Sequence, residues 1–240
     1  MKAVILAGGK GTRLRPYTTV FPKPLMPIGE RPILEILIRQ MSAQGFKDII
    51  VTSGYLGELI MAFFGDGTKF GVKIKYSREA KPLGTAGGLG SIKDDLGEDF
   101  LMVNGDLLTT LSFADLVDYH RKNRAHATIA LKRRDIHIDF GVIELDGSTN
   151  DIKGYVEKPT VQNFVSMGVY VLDSAVLQYI KPNEYLDFPN LIQSLLAGGK
   201  TVKGYVFDGY WLDIGRPDDY EKANADLQDL YGKLGIANLD

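Results

Sequence analysis

The chain has 240 residues, 45% hydrophobic, 24% charged and 10% aromatic, so it carries the apolar material for a sizeable core and is not a disordered segment. Cysteine is absent, and the three histidines, His120, His126 and His137, stand at no metal-ligand spacing. A thiolate nucleophile, a disulfide framework and a cysteine-ligated zinc are excluded, and any metal must sit on oxygen. A formal net charge of -2 gives no basic field for a polyanion, which argues against nucleic acid as the main partner and favours small substrates.

Met1 leads straight into Lys2 and an apolar run that Gly8 and Gly9 end at once. That run is too short for a signal peptide or a membrane span, so a cytoplasmic protein with no membrane partner is expected. Lys2 to Ala7 predicts a buried strand, and Pro32 to Gln44 places Ile33, Leu34, Leu37, Ile38 and Met41 at helical spacing, as a crossover helix does. Further strands are predicted at Asp48 to Thr52, Val72 to Tyr76, Phe100 to Val103 and Thr128 to Leu131, with helices at Leu56 to Phe64, Leu89 to Leu96 and Ser112 to Arg124 between them. This alternation predicts a parallel sheet with helices on both faces. From about residue 133 strands follow one another, at Gly141 to Leu145, Ile152 to Val156 and Val165 to Leu172. Helical patterns return at Ser174 to Ile180 and Phe188 to Leu196, followed by a strand at Val202 to Phe207 and a helix at Pro217 to Tyr231. No repeat or linker interrupts the chain, so one α/β domain is expected.

The first strand runs into Leu6-Ala7-Gly8-Gly9-Lys10-Gly11-Thr12-Arg13-Leu14-Arg15-Pro16. Three glycines let backbone amides approach a ligand closely, the way a phosphate is cradled. The P-loop and dinucleotide fingerprints both fail here, because no Gly-Lys-Ser/Thr follows at the required spacing and Leu14 stands where a third glycine is needed. Lys10, Arg13 and Arg15 add cations, and Lys23 follows between Pro22 and Pro24. A triphosphate suits such a loop better than a pyrophosphate alone. Some twenty residues without regular structure follow the first strand, and long loops inside compact domains are usually functional.

Gly8 to Pro16 followed by Pro22-Lys23-Pro24-Leu25-Met26-Pro27-Ile28-Gly29 resembles the signature of the sugar-nucleotide pyrophosphorylases, which join a nucleoside triphosphate to a sugar 1-phosphate. The likeness continues through Pro82 to Gly88, Val103-Asn104-Gly105-Asp106, Gly141-Val142, Val156-Glu157-Lys158-Pro159, Gly168-Val169-Tyr170 and Trp211 to Gly215, spanning roughly residues 1 to 225. The resemblance implies a single Rossmann-like nucleotidyltransferase domain with a mostly parallel central sheet and a small antiparallel sugar-binding part. It would comprise a nucleotide-binding half at about 1–132, a sugar-phosphate half at about 133–225 and a tail at 226–240. No hexapeptide repeat is present, so no C-terminal β-helix is expected. A homo-oligomer stays open.

Asp106 follows an apolar run and should stand at the carboxyl end of a buried strand, where open α/β sheets bind ligands. The alternative is a turn, since Asn104-Gly105 is a hairpin signal. Asp213 lies among Trp211, Leu212 and Ile214, and a carboxylate in apolar company needs a cation or strong donors. Two such aspartates suit Mg²⁺, which shares oxygen ligands with substrate phosphates. The resemblance makes Asp106 and Asp213 the metal ligands, and Arg13 and Lys23 the catalytic cations. It assigns the nucleotide to Leu6, Ala7, Gly8, Gly9, Gly11, Thr12, Arg13, Pro82, Gly84, Thr85, Gly88 and Asp106. It assigns the sugar phosphate to Asn104, Gly141, Glu157, Lys158, Gly168 and Asp187. Leu83-Gly84-Thr85-Ala86-Gly87 is similar to the branch that makes GDP-mannose or GDP-heptose, so GTP is favoured. The same reaction with dTTP, UTP or CTP and a glucose-type sugar is the alternative, as is a non-catalytic subunit that binds sugar nucleotides. A glycosyltransferase commonly carries Asp-x-Asp, which does not occur in this chain.

Overall fold

The computed structural model describes residues 1–79, 81–230 and 232–234. Its first half contains β1 (Lys2–Ala7), β2 (Pro27–Ile28), β3 (Arg31–Pro32), α1 (Ile33–Ala43), β4 (Asp48–Ser53), α2 (Gly57–Phe64), β5 (Lys73–Arg78), α3 (Gly84–Gly87), β6 (Asp99–Asn104), β7 (Leu107–Thr109) and α4 (Phe113–Lys122). The second half contains β8 (Ala127–His137), β9 (Val142–Leu145), β10 (Ile152–Val156), β11 (Thr160–Asp173), α5 (Phe188–Ala197), β12 (Val202–Val206), β13 (Trp211–Asp213) and α6 (Pro217–Leu230).

Seven strands form one sheet in the order β12-β8-β11-β6-β1-β4-β5. All run parallel except β11, which is antiparallel to both of its neighbours. The expected halves therefore share one sheet. Because β1 lies between β4 and β6, it is buried on both faces, which explains its unbroken apolar run. Alternate residues serve opposite cores: Ala3 and Ile5 pack with α1 and α4, whereas Val4 packs with Phe100, Met102 and α5. A third cluster joins Leu14, Ile28, Ile33 and Ile214 to α6.

The local signals act as expected where they are chemically specific. Ser112 caps α4, its hydroxyl accepting from the Asp115 amide at 3.1 Å, and Gln44, just past α1, accepts from the Phe113 amide at 2.6 Å. Several expectations need correction. Leu89 to Leu96 is not a helix: α3 is followed by 3-10 turns at Gly88–Ser91 and Lys93–Asp95, since clustered glycines weaken a continuous helix. Ser174–Tyr179 is likewise a 3-10 turn, capped by Asp173. The loop after β1 is not irregular throughout but holds three 3-10 turns, at Thr12–Leu14, Tyr17–Thr19 and Lys23–Leu25. Asn104-Gly105 makes no hairpin, because β7 pairs with β13 and not with β6. The helix expected at Pro217 to Tyr231 is α6, whose last turn, residues 226–230, falls within the expected tail and buries Leu227 and Leu230. The remainder of that tail, apart from residues 232–234, lies outside the described residues.

Candidate active site

Parallel strands in register deliver their carboxyl ends to one edge. Ala7 pairs with Ser53, Ser53 with Arg78, and Leu6 with Asn104. The residues that follow, Gly8, Gly54, Glu79 and Gly105, therefore line the same edge, the position at which this sheet type binds ligands. A cleft of about 1100 Å³ opens there. Among the expected residues Leu6, Gly8, Gly9, Pro82, Gly84 and Thr85 line it, together with Asn104 and Asp106.

Close backbone approach shapes the cradle. A Cβ on Gly54 would lie 3.1 Å from the Gly8 carbonyl oxygen, and a Cβ on Gly105 would lie 2.9 Å from that of Leu6. Gly11 has φ +60°, and the hydroxyl of Thr18 donates to its carbonyl at 2.7 Å. Ala7 points into the core instead of the cleft. Gly11, Thr12, Arg13 and Gly88 are not on the cleft wall itself; Gly88 lies behind Glu79, and the Arg13 guanidinium packs beside Gly215.

Lys23 is held by the turn that its flanking prolines favour, with the Leu25 amide donating to Pro22 at 2.9 Å and the Met26 amide donating to Lys23 at 3.0 Å. Its side chain enters the protein, leaving the residue only 8% exposed. The ammonium makes an ion pair with Asp106 and lies 3.8 Å from Asp213 Oδ1. The short β7–β13 ladder brings the two aspartates together: Asp213 pairs with Leu107, and the Ile214 amide donates to the Asp106 carbonyl at 3.1 Å. Asp213 Oδ1 is buried and makes no hydrogen bond. Burial, then the Asp106 charge, push the Asp213 carboxyl up from its ordinary value, opposed by Lys23 and Arg13. An orphaned anionic oxygen beside a second carboxylate is what a hard cation stabilises. Among the described residues no group of three or more His, Cys, Asp or Glu side chains could hold a metal, so further oxygens would have to come from substrate or water.

The expected sugar-phosphate residues stand off the cleft wall, Asn104 excepted. Gly141, Glu157 and Lys158 cluster around the β9–β10 hairpin. Tyr155 donates to Glu157 at 2.8 Å, and a Cβ on Gly141 would collide with the Tyr155 hydroxyl. Lys158 adopts φ +44°. Gly168, at φ +74°, leaves room for the Asn104 side chain, whose Nδ2 would be 2.5 Å from a Cβ there. Asp187 is off the cleft wall as well: its Oδ1 accepts from the Thr85 amide at 3.1 Å, and Tyr185 donates to its other oxygen at 2.6 Å. It braces the 84–88 segment against the start of α5.

Glu79 is the main residue that the sequence reading missed. It lines the cleft, accepts from the Leu83 amide at 3.3 Å, and abuts Gly88, where a Cβ would strike Oε1. Burial raises its pKa from the ordinary glutamate value, opposed by that amide. The usable signal was its place directly after β5 and shortly before Pro82. Thr52 near the end of β4, and Gly54, Tyr55 and Leu56 after it, also line the cleft and carried no motif.

The nucleotidyl transferase family matches residues 2–229. A mannose-1-phosphate guanylyltransferase of Mycobacterium tuberculosis is 38% identical over 232 residues, which are 94% of this chain and 64% of that relative. The chain thus spans just under two thirds of the length of the curated relatives it matches. A Bacillus anthracis protein solved with sucrose, described provisionally as a glucose-1-phosphate thymidylyltransferase, superimposes with a TM-score of 0.78 at 28% identity, covering 98% of both chains. HddC from Yersinia pseudotuberculosis complexed with GMP-PN gives a TM-score of 0.72 at 25% identity, covering 94% of this chain and 99% of that one. With the glycine cradle, the lysine between two aspartates and a family match over nearly its whole length, the chain belongs to the nucleotidyl transferase family.

Proposed function

We propose that this protein condenses GTP with a sugar 1-phosphate, mannose 1-phosphate foremost, to give a GDP-sugar and pyrophosphate. The observation that carries the reading is the Lys23 ammonium set between Asp106 and Asp213 beside a glycine-lined cleft. The naming of curated relatives as mannose-1-phosphate guanylyltransferases supports the choice of base and sugar. A reaction between such highly charged metabolites suits the cytoplasm; no helix among the described residues is long and apolar enough to cross a membrane.

A phosphate oxygen of the sugar phosphate attacks the α-phosphorus. The bond from that phosphorus to the bridging oxygen breaks, and pyrophosphate leaves with the electron pair. The nucleophile is already an anion, so the protein needs no general base; its work is to position two anions and stabilise charge in transit. Asp106 and Asp213 would hold Mg²⁺, which when bound supplies positive charge to the reacting phosphates. Lys23 would then turn from the carboxylates to the α-phosphate, Arg13 would meet the leaving phosphates, and Lys158 the sugar phosphate. A carboxylate such as Glu157 accepts two strong hydrogen bonds from neighbouring hydroxyls, which suits a sugar.

Glu79 suits guanine for the same reason: its carboxylate can accept from the N1 and N2 hydrogens, a donor pair that adenine lacks. Glu79→Gln is expected to lower kcat/KM for GTP by about 10- to 100-fold and to narrow its lead over ATP, read from competing-nucleotide assays. Asp187→Ala is expected to raise the KM for GTP about tenfold, the worth of one hydrogen-bonded brace, with the KM for the sugar phosphate unchanged. Asp187→Asn, which keeps the acceptor for Thr85, should restore most of the loss; a rise confined to the sugar-phosphate KM would return Asp187 to the sugar side.

The reading is tested by pyrophosphate release across four nucleoside triphosphates and mannose, glucose, heptose and amino-sugar 1-phosphates. GTP with mannose 1-phosphate should give the highest kcat/KM. Binding without turnover throughout, or release of a nucleoside diphosphate instead of pyrophosphate, would overturn it.

A further inference from the structure

The segments that carry Lys23 and Asp213 meet on one helix. The chain leaves β13 at Asp213 and enters α6 at Pro217. In that corner the Asp219 carboxylate reaches back and accepts from the Gly215 amide at 3.2 Å and from the Arg216 amide at 2.8 Å, as an acid in a first helical turn does for donors left free there. Arg13 packs against the same corner, where a Cβ on Gly215 would lie 3.1 Å from its guanidinium. The next residue of the helix, Tyr220, donates its hydroxyl to the Pro27 carbonyl at 2.6 Å, and one turn further Asn224 Oδ1 accepts from the Gly29 amide at 2.9 Å. Pro27 and Gly29 closely follow the turn that holds Lys23.

Apolar packing secures this helix without fixing its register. Along its 14 residues α6 buries Ala223, Leu227 and Leu230, which pack with Ile28, Ile33 and Ile214, and burial of that kind has no preferred direction. Hydrogen bonds do fix a register, because they weaken steeply with distance and angle. The Tyr220 and Asn224 bonds tie the helix to the Lys23 segment, and the Asp219 bonds tie it to the Asp213 segment. Among the described residues no backbone hydrogen bond joins 22–29 directly to 211–216. The helix is therefore the hydrogen-bonded route between two segments whose side chains come within 3.8 Å, Lys23 Nζ to Asp213 Oδ1.

We propose that Asp219, Tyr220 and Asn224 are positioning residues that set where Lys23 stands relative to Asp213, a role that rests on the reading of those two groups as charges acting at the α-phosphate. None of the three lines the cleft, so each acts through the backbone it holds. A shift of about 1 Å at a reacting centre can cost about two orders of magnitude in rate. Ground-state binding is spread over the whole cleft and changes little, so kcat should fall while KM stays.

Tyr220→Phe combined with Asn224→Ala, assayed well below its unfolding temperature, should lower kcat about 10- to 100-fold. The KM values for GTP and sugar 1-phosphate should stay within about threefold of the wild type. Asn224→Asp keeps the acceptor for Gly29 and should hold kcat near the wild-type value. Lys222→Ala, on the same helix and paired with Asp226, should change neither constant. In a Lys23→Ala background the Tyr220 and Asn224 substitutions should cost less than about threefold more, because the group they position is gone, whereas a purely structural role would give the same loss in both backgrounds. Hydrogen exchange supplies a readout without turnover. Peptides covering 22–30 should exchange about tenfold faster in the double variant, with β1 and β6 unchanged, and Asp219→Ala should do the same at 213–217. An unchanged kcat in the folded double variant, a full additional loss beside Lys23→Ala, or unchanged exchange at 22–30 would each overturn the proposal. A wild type without turnover would remove the proposed reaction and leave the brace to stand or fall on exchange, so the two readings fail separately.

Discussion

Lys23→Ala is expected to lower turnover of GTP and mannose 1-phosphate by about 10²- to 10³-fold, the usual effect of removing one preorganised charge-stabilising group. The backbone of Lys23 is fixed by hydrogen bonds of the Pro22–Met26 turn and its ammonium faces both carboxylates, so only the side chain has to turn when a phosphate arrives. Removing it also changes the resting site. Asp106 and Asp213 are left facing each other without a counter-charge, which is unfavourable for a partly buried pair. The variant should therefore gain more thermal stability from added Mg²⁺ than the wild type does, because the cation restores what the ammonium supplied. Thermal unfolding with and without Mg²⁺ checks this, alongside single-turnover release of pyrophosphate. Near-normal turnover in the folded variant would remove Lys23 from the mechanism.

Asp213→Asn is expected to cost at least about 10²-fold in turnover and to abolish most of the Mg²⁺-dependent rise in Tm. The substitution keeps the shape of the side chain and removes only its charge. In the wild type, Asp213 Oδ1 is buried without a hydrogen bond, and burial together with the neighbouring Asp106 disfavours its ionised form. That cost makes sense at a site that gathers cations; asparagine relieves it and should leave the metal-free protein as stable as the wild type or more so. The pairing of β7 with β13 should survive, since it is made by the backbone. Asp106→Asn tests the same centre from the other strand. If both variants kept Mg²⁺-dependent stabilisation and turnover, the aspartates would serve only to seat Lys23.

What could be read in advance was the chemistry that sits in short runs. The unbroken apolar stretch of Lys2 to Ala7, the glycines after it, Lys23 between two prolines and Ser112 before α4 each act through neighbours only a few residues away, so their roles follow from local sterics and hydrogen bonding. Alternation of strands and helices was enough for a mostly parallel sheet. Glu79 escaped notice because its part depends on β5 lying in register with β4 and β1, which no local pattern expresses. The contact of Asp187 with Thr85 was hidden for a similar reason: the two are about a hundred residues apart, and a carboxylate near a sugar-binding segment looks the same in sequence whether it meets a hydroxyl of the ligand or an amide of the chain.

The amino-acid order by itself determined the fold class, the glycine-lined turn and the identity of the charged residues around it, because those rest on periodicity, backbone freedom and side-chain chemistry. Only the tertiary structure decided that Asp106 and Asp213 meet across the β7–β13 ladder with Lys23 between them, and that the segment from 132 to 165 stands out as an uncovered arm. Both are matters of which distant strands pair and where that pairing stops. The free energy of such contacts belongs to residues brought together from afar, and no window of the sequence contains them.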